Sequence, residues 1–183
     1  MDEIAALQRL LSIDPLRREA LEAVASLGLP DCWIGAGFVR DAVWDHRHGY
    51  GKRPPSGDVD VVWFASAAAD EGTDYDIEHE LRCRVPGLIC SVKNQARMHL
   101  RNGDAPYTSV ADAMRHWPET ATAVAARLGV AGSIEINAPL GVGDLFALRL
   151  RPTQAFVTAK RSIFTDRVSS KRWAERYPLL RLV

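Results

Sequence analysis

Two aspartates separated by one residue are the side chains best suited to chemistry in this sequence. Asp58 and Asp60 alternate with valines in a segment typical of a buried strand, so both carboxylates should project from one face of it. At the ~5–7 Å separation of such positions, two carboxylates repel each other unless a cation lies between them. A hard divalent ion with oxygen ligands is the natural partner, and we predict Mg²⁺, with Mn²⁺ as the alternative. In the competing interpretation Asp58 is a turn residue and Asp60 faces solvent.

A glycine turn about twenty residues upstream is a candidate phosphate site. Gly35, Ala36 and Gly37 precede a helix predicted from Phe38 to about Asp45. Glycine permits close approach of a ligand to the backbone, and the free amides at a helix start favour an anion. The motif is neither a dinucleotide fingerprint, because Arg40 stands where the third glycine belongs, nor a P-loop, because no Gly-Lys-Ser/Thr follows. The alternative is a tight strand-to-helix turn without function.

A second polar group follows a predicted strand. Its members are Lys93, Asn94, Arg97 and His99. The planar guanidinium of Arg97 suits bidentate phosphate contact. The alternative is a set of surface charges in which His99 caps a local turn. Arg40 is equally ambiguous: it either binds phosphate, pairs with Asp41 or Asp45, or packs on Trp44.

The elements that must position these residues can be read from hydrophobic periodicity and from glycine and proline positions. Two helices within residues 3–28 precede the glycine turn. The pattern then predicts strand 32–34, helix 38–45, loop 47–57, strand 58–64, a helix from about 75 to 85, strand 88–92, helix 109–116, a helix from 118 to 129, strand 133–137 and a last helix over 158–176. This order of helices and strands predicts an α/β (α+β) fold.

Composition excludes several other classes of protein. The 183 residues are 47% hydrophobic and 25% charged, as in folded globular domains, and we expect a single domain over 1–183. With 23 basic and 23 acidic side chains, the chain lacks the basic excess of non-specific nucleic-acid binders. The three cysteines have no metal-ligand or disulfide pattern, the start is acidic, and no apolar run is long enough to span a membrane. We therefore expect a cytoplasmic protein.

The zero net charge hides a division along the chain. Residues 149–183 contain nine basic and two acidic side chains, so the body before them is acidic. The basic C-terminal segment, about 158–183, is predicted to be helical, with several cations on one face. They either partner the acidic body or form a phosphate-contacting surface. The cations are Lys160, Arg161, Arg167, Lys171, Arg172 and Arg176.

Together these motifs resemble the signature of the DNA polymerase beta-like nucleotidyltransferase superfamily. Gly35-x-Gly37-x-x-Arg40-Asp41 followed by Asp58-x-Asp60 carries the resemblance, and Phe38-Val-Arg-Asp41 is especially similar to CCA-adding enzymes. Further segments resemble a bacterial nucleotidyltransferase-like family of unassigned substrate, over about 31–173. These are Lys93 to His99, Pro106 to Ser109, Trp117 to Val124, Ala138-Pro139, Gly143 to Phe146 and Arg151-Pro152.

The resemblance implies the polymerase beta-like nucleotidyltransferase fold, with a small mixed, twisted sheet flanked by helices. It also implies that a nucleoside monophosphate is transferred from a nucleoside triphosphate, such as ATP, to an acceptor. Asp58 and Asp60 would hold magnesium, and the amides of residues 35–37 would hold the phosphates. The acceptor is open: an RNA end, a small molecule or a protein. Members usually carry a third carboxylate on a neighbouring strand, but Ser91 stands at that position. Candidates to replace it are Asp74, Glu78, Glu135 and Asp144.

Because Ser91 cannot bind a second metal well or accept a proton, a rival function is open. In that interpretation the protein is a nucleotide- or RNA-binding module of the same fold with reduced catalysis. A third possibility, a toxin–antitoxin component or another protein-modifying transferase, follows from the breadth of the superfamily and has no residue behind it.

Overall fold

The computed structural model describes residues 2–67 and 70–183. The strands are β1 (Trp33–Gly35), β2 (Val59–Trp63), β3 (Cys90–Asn94), β4 (Ala125–Leu128), β5 (Ile134–Asn137), β6 (Arg149–Leu150) and β7 (Arg181–Leu182). The helices are α1 (Glu3–Ser12), α2 (Pro15–Ala25), α3 (Gly37–Arg47), α4 (Glu71–Arg84), α5 (Gln95–Asn102), α6 (Val110–Arg115), α7 (Gly143–Phe146), α8 (Gln154–Val157), α9 (Arg161–Lys171) and α10 (Trp173–Arg176). The α/β architecture predicted from the sequence is confirmed.

β1 to β5 form one mixed sheet in the order β3-β2-β1-β4-β5. β2 and β3 are parallel, and the other neighbours in this sheet are antiparallel. The register places Asp60 beside Gly35 of β1 on one side and beside Ser91 of β3 on the other. The glycine turn, the aspartate strand and the serine position therefore meet in one row across the sheet.

The two faces of the sheet have different surroundings. Ile34, Val61 and Val92 belong to the main core, which also contains apolar residues of α1, α2, α3 and α4. Because side chains alternate along a strand, the next residues on β2 and β3 point to the other face. There Val62 packs against Met114 of α6 in a smaller cluster. The helices on this second face leave a cleft beside it.

One predicted element is wrong. The helix expected over 118–129 is a 3₁₀ turn at Thr120–Thr122 followed by strand β4. Ala125 and Ala126 of that strand are fully buried and pair with β1, so the pairing in the sheet overrides the helix propensity of alanine. The strand expected over 88–92 lies two residues later, and the helix after it, α5, was not predicted.

The predicted C-terminal helix is interrupted. It is divided into α9 and α10 at Arg172, whose backbone has the left-handed φ of 49°. The change of direction allows Trp173 to pack edge-on against Trp44 of α3, with ring centroids 5.9 Å apart. The segment ends in β7, which pairs with β6. The basic segment is thus packed on the body of the molecule.

Within residues 2–67 and 70–183, no helix has both the length and the apolar character needed to cross a lipid bilayer.

Candidate active site

The glycine turn connects β1 to α3 with an unusual backbone. Ala36 has φ of 51°, and its amide donates to the carbonyl of Val124 at 2.9 Å. The carbonyl of Ala36 accepts from the amides of Val39 and Arg40, so the helix begins without a side-chain cap. Among the described residues, no acceptor faces the amides of Gly37 and Phe38. These two donors are the ones that the predicted phosphate site requires.

Gly35 is needed for packing in this structure. A Cβ atom on Gly35 would stand 2.8 Å from Cη2 of Trp117, so the indole ring occupies the space that the missing side chain leaves. The sequence suggested that this glycine permits a ligand to approach. The neighbour that uses the space is Trp117, which lines the wall of the cleft.

Gly35→Ala is expected to destabilise the protein by about 1–3 kcal/mol, because the added methyl group forces Trp117 or the sheet to move. The free energy of unfolding in urea measures the effect. Gly57→Ala is the matched control, since no atom lies within 4 Å of the Cβ it would add. An equal effect of the two substitutions would contradict the packing role of Gly35.

The two aspartates lie where β2 begins. Asp58 is exposed and stands one residue before the strand, whereas Asp60 is half-buried within it. Burial raises the pKa of the Asp60 carboxyl above its ordinary value, and the charge of Asp58 adds to the rise. Three cations oppose this rise in the pKa: Arg167 most, then Arg40, then Lys171. A nearby positive charge would therefore stabilise the ionised form of the Asp60 carboxyl.

The carboxylates of Asp58 and Asp60 fit a hard cation. Neither accepts a hydrogen bond from the residues described, so their oxygens are free for a metal. No group of three or more His, Cys, Asp or Glu side chains able to hold a metal occurs in residues 2–67 and 70–183. Mg²⁺ is commonly held by one or two carboxylates together with substrate phosphates and water, and this pair matches that pattern.

A cleft of about 580 Å³ contains the centre of this site. Asp60 and Ser91 line it from the sheet, and Ala36 lines it from the glycine turn. Its lining also includes five apolar and five basic side chains. The apolar members are Val62, Met98, Trp117, Phe156 and Ile163, and the basic ones are Lys93, Arg101, His116, Lys160 and Arg167.

Arg40 lies at the start of α3 but is engaged inside the protein. Its Nη2 donates to Oδ1 of Asp41 at 2.7 Å, and its guanidinium lies between the rings of Trp44 and Trp173, 4.7 and 4.8 Å from their centroids. Nη2 is also 3.4 Å from where a Cβ of Gly37 would stand. Two of the alternatives raised by the sequence, pairing with Asp41 and packing on Trp44, are therefore confirmed. Both contacts lie beside the predicted phosphate site.

Asp41 connects this arginine to the loop before the aspartates. Its Oδ2 accepts from the amide of Ser56 at 3.0 Å and from the Ser56 hydroxyl at 2.6 Å. Burial opposes ionisation of Asp41, but the charge of Arg40 and the bonds from Ser56 outweigh it and lower the carboxyl pKa below its usual value. The loop leading to Asp58 is thus fixed to α3 through Asp41.

The second polar group is divided by the structure. Lys93 lines the cleft, whereas Asn94 is fully buried, caps α5 and bonds to the backbone of Ala65. Arg97 forms an ion pair with buried Asp74. Nδ1 of His99 lies 3.0 Å from the carbonyl of Ala96, within its own helix. Of these four residues Lys93 is the one that lines the cleft, and ligand binding by the group remains a prediction.

The residues considered as replacements for a third carboxylate are engaged elsewhere. Glu78 bonds to the Val92 amide and to Lys93, and Glu135 pairs with Arg127 at the far side of the sheet. Asp74 bonds to Trp63, Asn94 and Arg97, and Asp144 bonds to Thr120 and Arg151. Asp60 is the acidic residue among those that line the cleft in the described part of the chain.

Sequence reasoning did not place Arg101, Lys160, Arg167 or His116 in the cleft. Three of the cations that line it are held from behind by carboxylates that do not line it. The pairs are Lys93–Glu78 at 3.2 Å, Lys160–Asp104 at 2.7 Å and Arg167–Glu119 at 2.7 Å. The basic segment therefore partners the acidic body, as one interpretation held, and also supplies cations to the cleft. The charge division along the chain was the sequence signal that pointed to Lys160 and Arg167, and it did not point to Arg101 or His116.

The chain belongs to the nucleotidyltransferase family, whose sequence model matches residues 22–182. A solved structure described as revealing a CCA-adding enzyme head domain is 29% identical, with a TM-score of 0.84, and the match covers 98% of this chain and 95% of that one. No curated protein matches the sequence significantly.

Two longer solved chains share the fold. The Thermotoga maritima CCA-adding enzyme complexed with tRNA is 16% identical, with a TM-score of 0.59 over 98% of this chain and 42% of that one. A complex of CCA-adding enzyme with CTP is 16% identical, with a TM-score of 0.60 over 98% of this chain and 43% of that one. This chain spans less than half of those proteins, and the likeness to them is one of fold.

Proposed function

We propose that the protein is a Mg²⁺-dependent nucleotidyltransferase that moves a nucleoside monophosphate from a nucleoside triphosphate to an acceptor hydroxyl. The observation that supports it best is the placement of Asp60, with no hydrogen bond from the described residues, in a cleft beside the turn that opens α3. The related CCA-adding enzymes, whose solved structures include complexes with CTP and with tRNA, make a nucleotide substrate reasonable. The acceptor is an RNA end, a small molecule or a protein.

In the proposed reaction the acceptor oxygen forms a bond to the α-phosphorus, the bond to the bridging oxygen breaks, pyrophosphate leaves, and the hydroxyl proton is released. The chain's own groups bind and orient. The amides of Gly37 and Phe38 donate to phosphate oxygens, and Lys93 and Arg167 offset their charge. Asp58 and Asp60 would hold the metal ion, which when bound neutralises charge on the transferring phosphate.

The protein is proposed to act in the cytoplasm. Cys32, Cys83 and Cys90 are all free thiols, as is usual in a reducing compartment.

The test of this function supplies each labelled triphosphate with Mg²⁺ and pooled RNA, metabolite or protein acceptors. We expect transfer of label from at least one nucleotide. The same nucleotide at about 100 times its dissociation constant should add ~2.7 kcal/mol to the free energy of unfolding. Absence of transfer would contradict the proposal, and absence of stabilisation as well would contradict nucleotide binding.

One observation favours a second candidate function, a binding module with little catalysis. Ser91 is the direct neighbour of Asp60 across β2 and β3, and no second acid lines the cleft among the described residues. In this case the nucleotide binds and stabilises the fold, but no label is transferred. The labelling experiment therefore separates the two candidates.

Ser91→Asp tests what the missing acid does. We expect the variant to transfer nucleotide at least tenfold faster than wild type, since a positioned proton acceptor contributes about 10²–10⁴-fold. Without metal its melting temperature should fall below that of Ser91→Asn, because two adjacent carboxylates repel, and Mg²⁺ should restore it. Equal rates and equal metal dependence in Ser91→Asp and Ser91→Asn would show that an acid here has no role.

A further inference from the structure

The strongest feature beyond the glycine turn and the aspartates is an arginine supplied by the C-terminal segment. Arg167 of α9 lines the same cleft as Asp60 and Ala36, although more than a hundred residues separate it from them in sequence. Its side chain is 32% exposed, so part of the guanidinium is open to a ligand.

Among the described residues, the guanidinium of Arg167 forms one ion pair. Its Nε donates to Oε1 of Glu119 at 2.7 Å, and Glu119 is fully buried. The other oxygen of Glu119 accepts from the Thr122 hydroxyl at 2.7 Å, so the carboxylate is itself fixed. Among the residues that the structure describes, the terminal Nη groups of Arg167 have no hydrogen-bond partner. Arginine and carboxylate commonly bond through two parallel contacts, whereas this pair uses Nε alone and leaves the Nη groups available.

Trp173 links this arginine to the start of α3. The guanidinium of Arg167 lies 5.4 Å from the centroid of the Trp173 ring, and that of Arg40 lies 4.8 Å from it. Arg40 in turn lies beside Gly37, whose amide is one of the two free donors. Arg167 and Arg40 therefore lie against the same indole ring, and Arg40 lies beside the glycine at the start of α3.

We propose that Arg167 contacts the polyphosphate of the nucleotide and that Glu119 and Trp173 position it for this contact. The proposal rests on the proposed function and deepens it, because it makes the basic C-terminal segment part of the nucleotide site. Arginine offers planar, paired donors that match phosphate oxygens, and here Nε is already engaged while the Nη groups remain for the ligand.

Binding of magnesium tripolyphosphate, measured by titration calorimetry, tests the contact without requiring transfer. Arg167→Gln is expected to weaken binding about 10- to 100-fold, the usual loss for a hydrogen bond to a charged group. Arg161→Gln is the matched control: it removes the same charge from an exposed position on the same helix and should bind like wild type. Equal affinity of the two variants would overturn the proposal.

Glu119 requires a separate test, because Arg167→Gln leaves it buried without its cation. The double variant Glu119→Gln/Arg167→Gln removes both charges and should fold and still bind weakly. Glu119→Gln alone should weaken binding in the wild-type background but not in the Arg167→Gln background, and Arg167→Lys should restore part of the affinity. Equal losses in both backgrounds would overturn positioning through Arg167.

The outcomes for this proposal and for the proposed function are distinct. If wild type does not bind magnesium tripolyphosphate, the phosphate contact of Arg167 is wrong. If wild type binds it, Arg167→Gln binds it more weakly than Arg161→Gln, and no nucleotide is transferred to any acceptor, the contact stands and the transferase function fails.

Discussion

Asp60→Asn is expected to lower nucleotidyl transfer at least ~1,000-fold. A metal ion that offsets charge on the transferring phosphate supplies several kcal/mol, and about 4 kcal/mol corresponds to three orders of magnitude in rate. Asparagine keeps the size of the side chain but removes the charge that holds the ion. The rate of label transfer at saturating Mg²⁺ measures the loss. Asp76→Asn, a change at an exposed acid away from the cleft, is the matched control and should leave the rate unchanged.

The same substitution should not destabilise the metal-free protein. Burial raises the pKa of Asp60 in the folded state, so the folded chain holds this proton more tightly than the unfolded chain. The free energy of unfolding therefore falls as pH rises from the unfolded pKa through the folded one, and the penalty persists at neutral pH. In EDTA at pH 7 Asp60→Asn should unfold at the same or higher urea concentration than wild type. A variant that is both less stable and fully active would contradict the role given to Asp60.

Asp41→Ala is expected to have the largest effect on stability, a loss of about 3–5 kcal/mol in the free energy of unfolding. It leaves the guanidinium of Arg40 buried between Trp44 and Trp173 without its carboxylate, and it releases Ser56. Urea unfolding at pH 7 measures the loss. The pKa of Asp41 is lower in the folded state than in the unfolded state. Asp41 therefore stabilises the protein at pH values above its unfolded-state pKa, and this contribution disappears as the pH falls through its folded-state pKa.

Arg40→Leu/Asp41→Ala is the control for this prediction. It removes both charges, and replacing a buried pair by apolar groups is often neutral or stabilising, so much of the lost stability should return. A loss below ~1 kcal/mol for Asp41→Ala alone would show that Arg40 finds another partner, and the connection between α3 and the loop before Asp58 would then be unimportant.

The parts of the fold that the sequence predicted well are those determined locally. The turn at residues 35–37 and the strand that carries Asp60 follow from glycine and valine positions, and both are confirmed within one or two residues. The error at 118–129 has the opposite cause. Ala125 and Ala126 form a strand because they pair with β1. This long-range pairing is not visible in the local residue propensities.

The candidate site shows the same limit. The glycine turn and Asp60 are close in sequence and could be placed together. Arg167 lines the cleft and is bonded there to Glu119, which lies 48 residues earlier in the sequence. No local periodicity indicates such a long-range pair. By residue type Arg97 was the better candidate for phosphate contact, but the fold directs Lys93 to the cleft and Arg97 to Asp74.

Binding of Mn²⁺ in the presence of non-hydrolysable nucleoside triphosphates tests most directly whether Asp58 and Asp60 form a nucleotide-linked metal site. Free Mn²⁺ is measured by electron paramagnetic resonance with wild type and with Asp58→Asn/Asp60→Asn, for each of the four nucleotides. We predict that at least one nucleotide gives wild type a bound Mn²⁺ whose affinity falls at least tenfold in the double variant. Equal Mn²⁺ affinity in the two proteins with every nucleotide would contradict the proposed site.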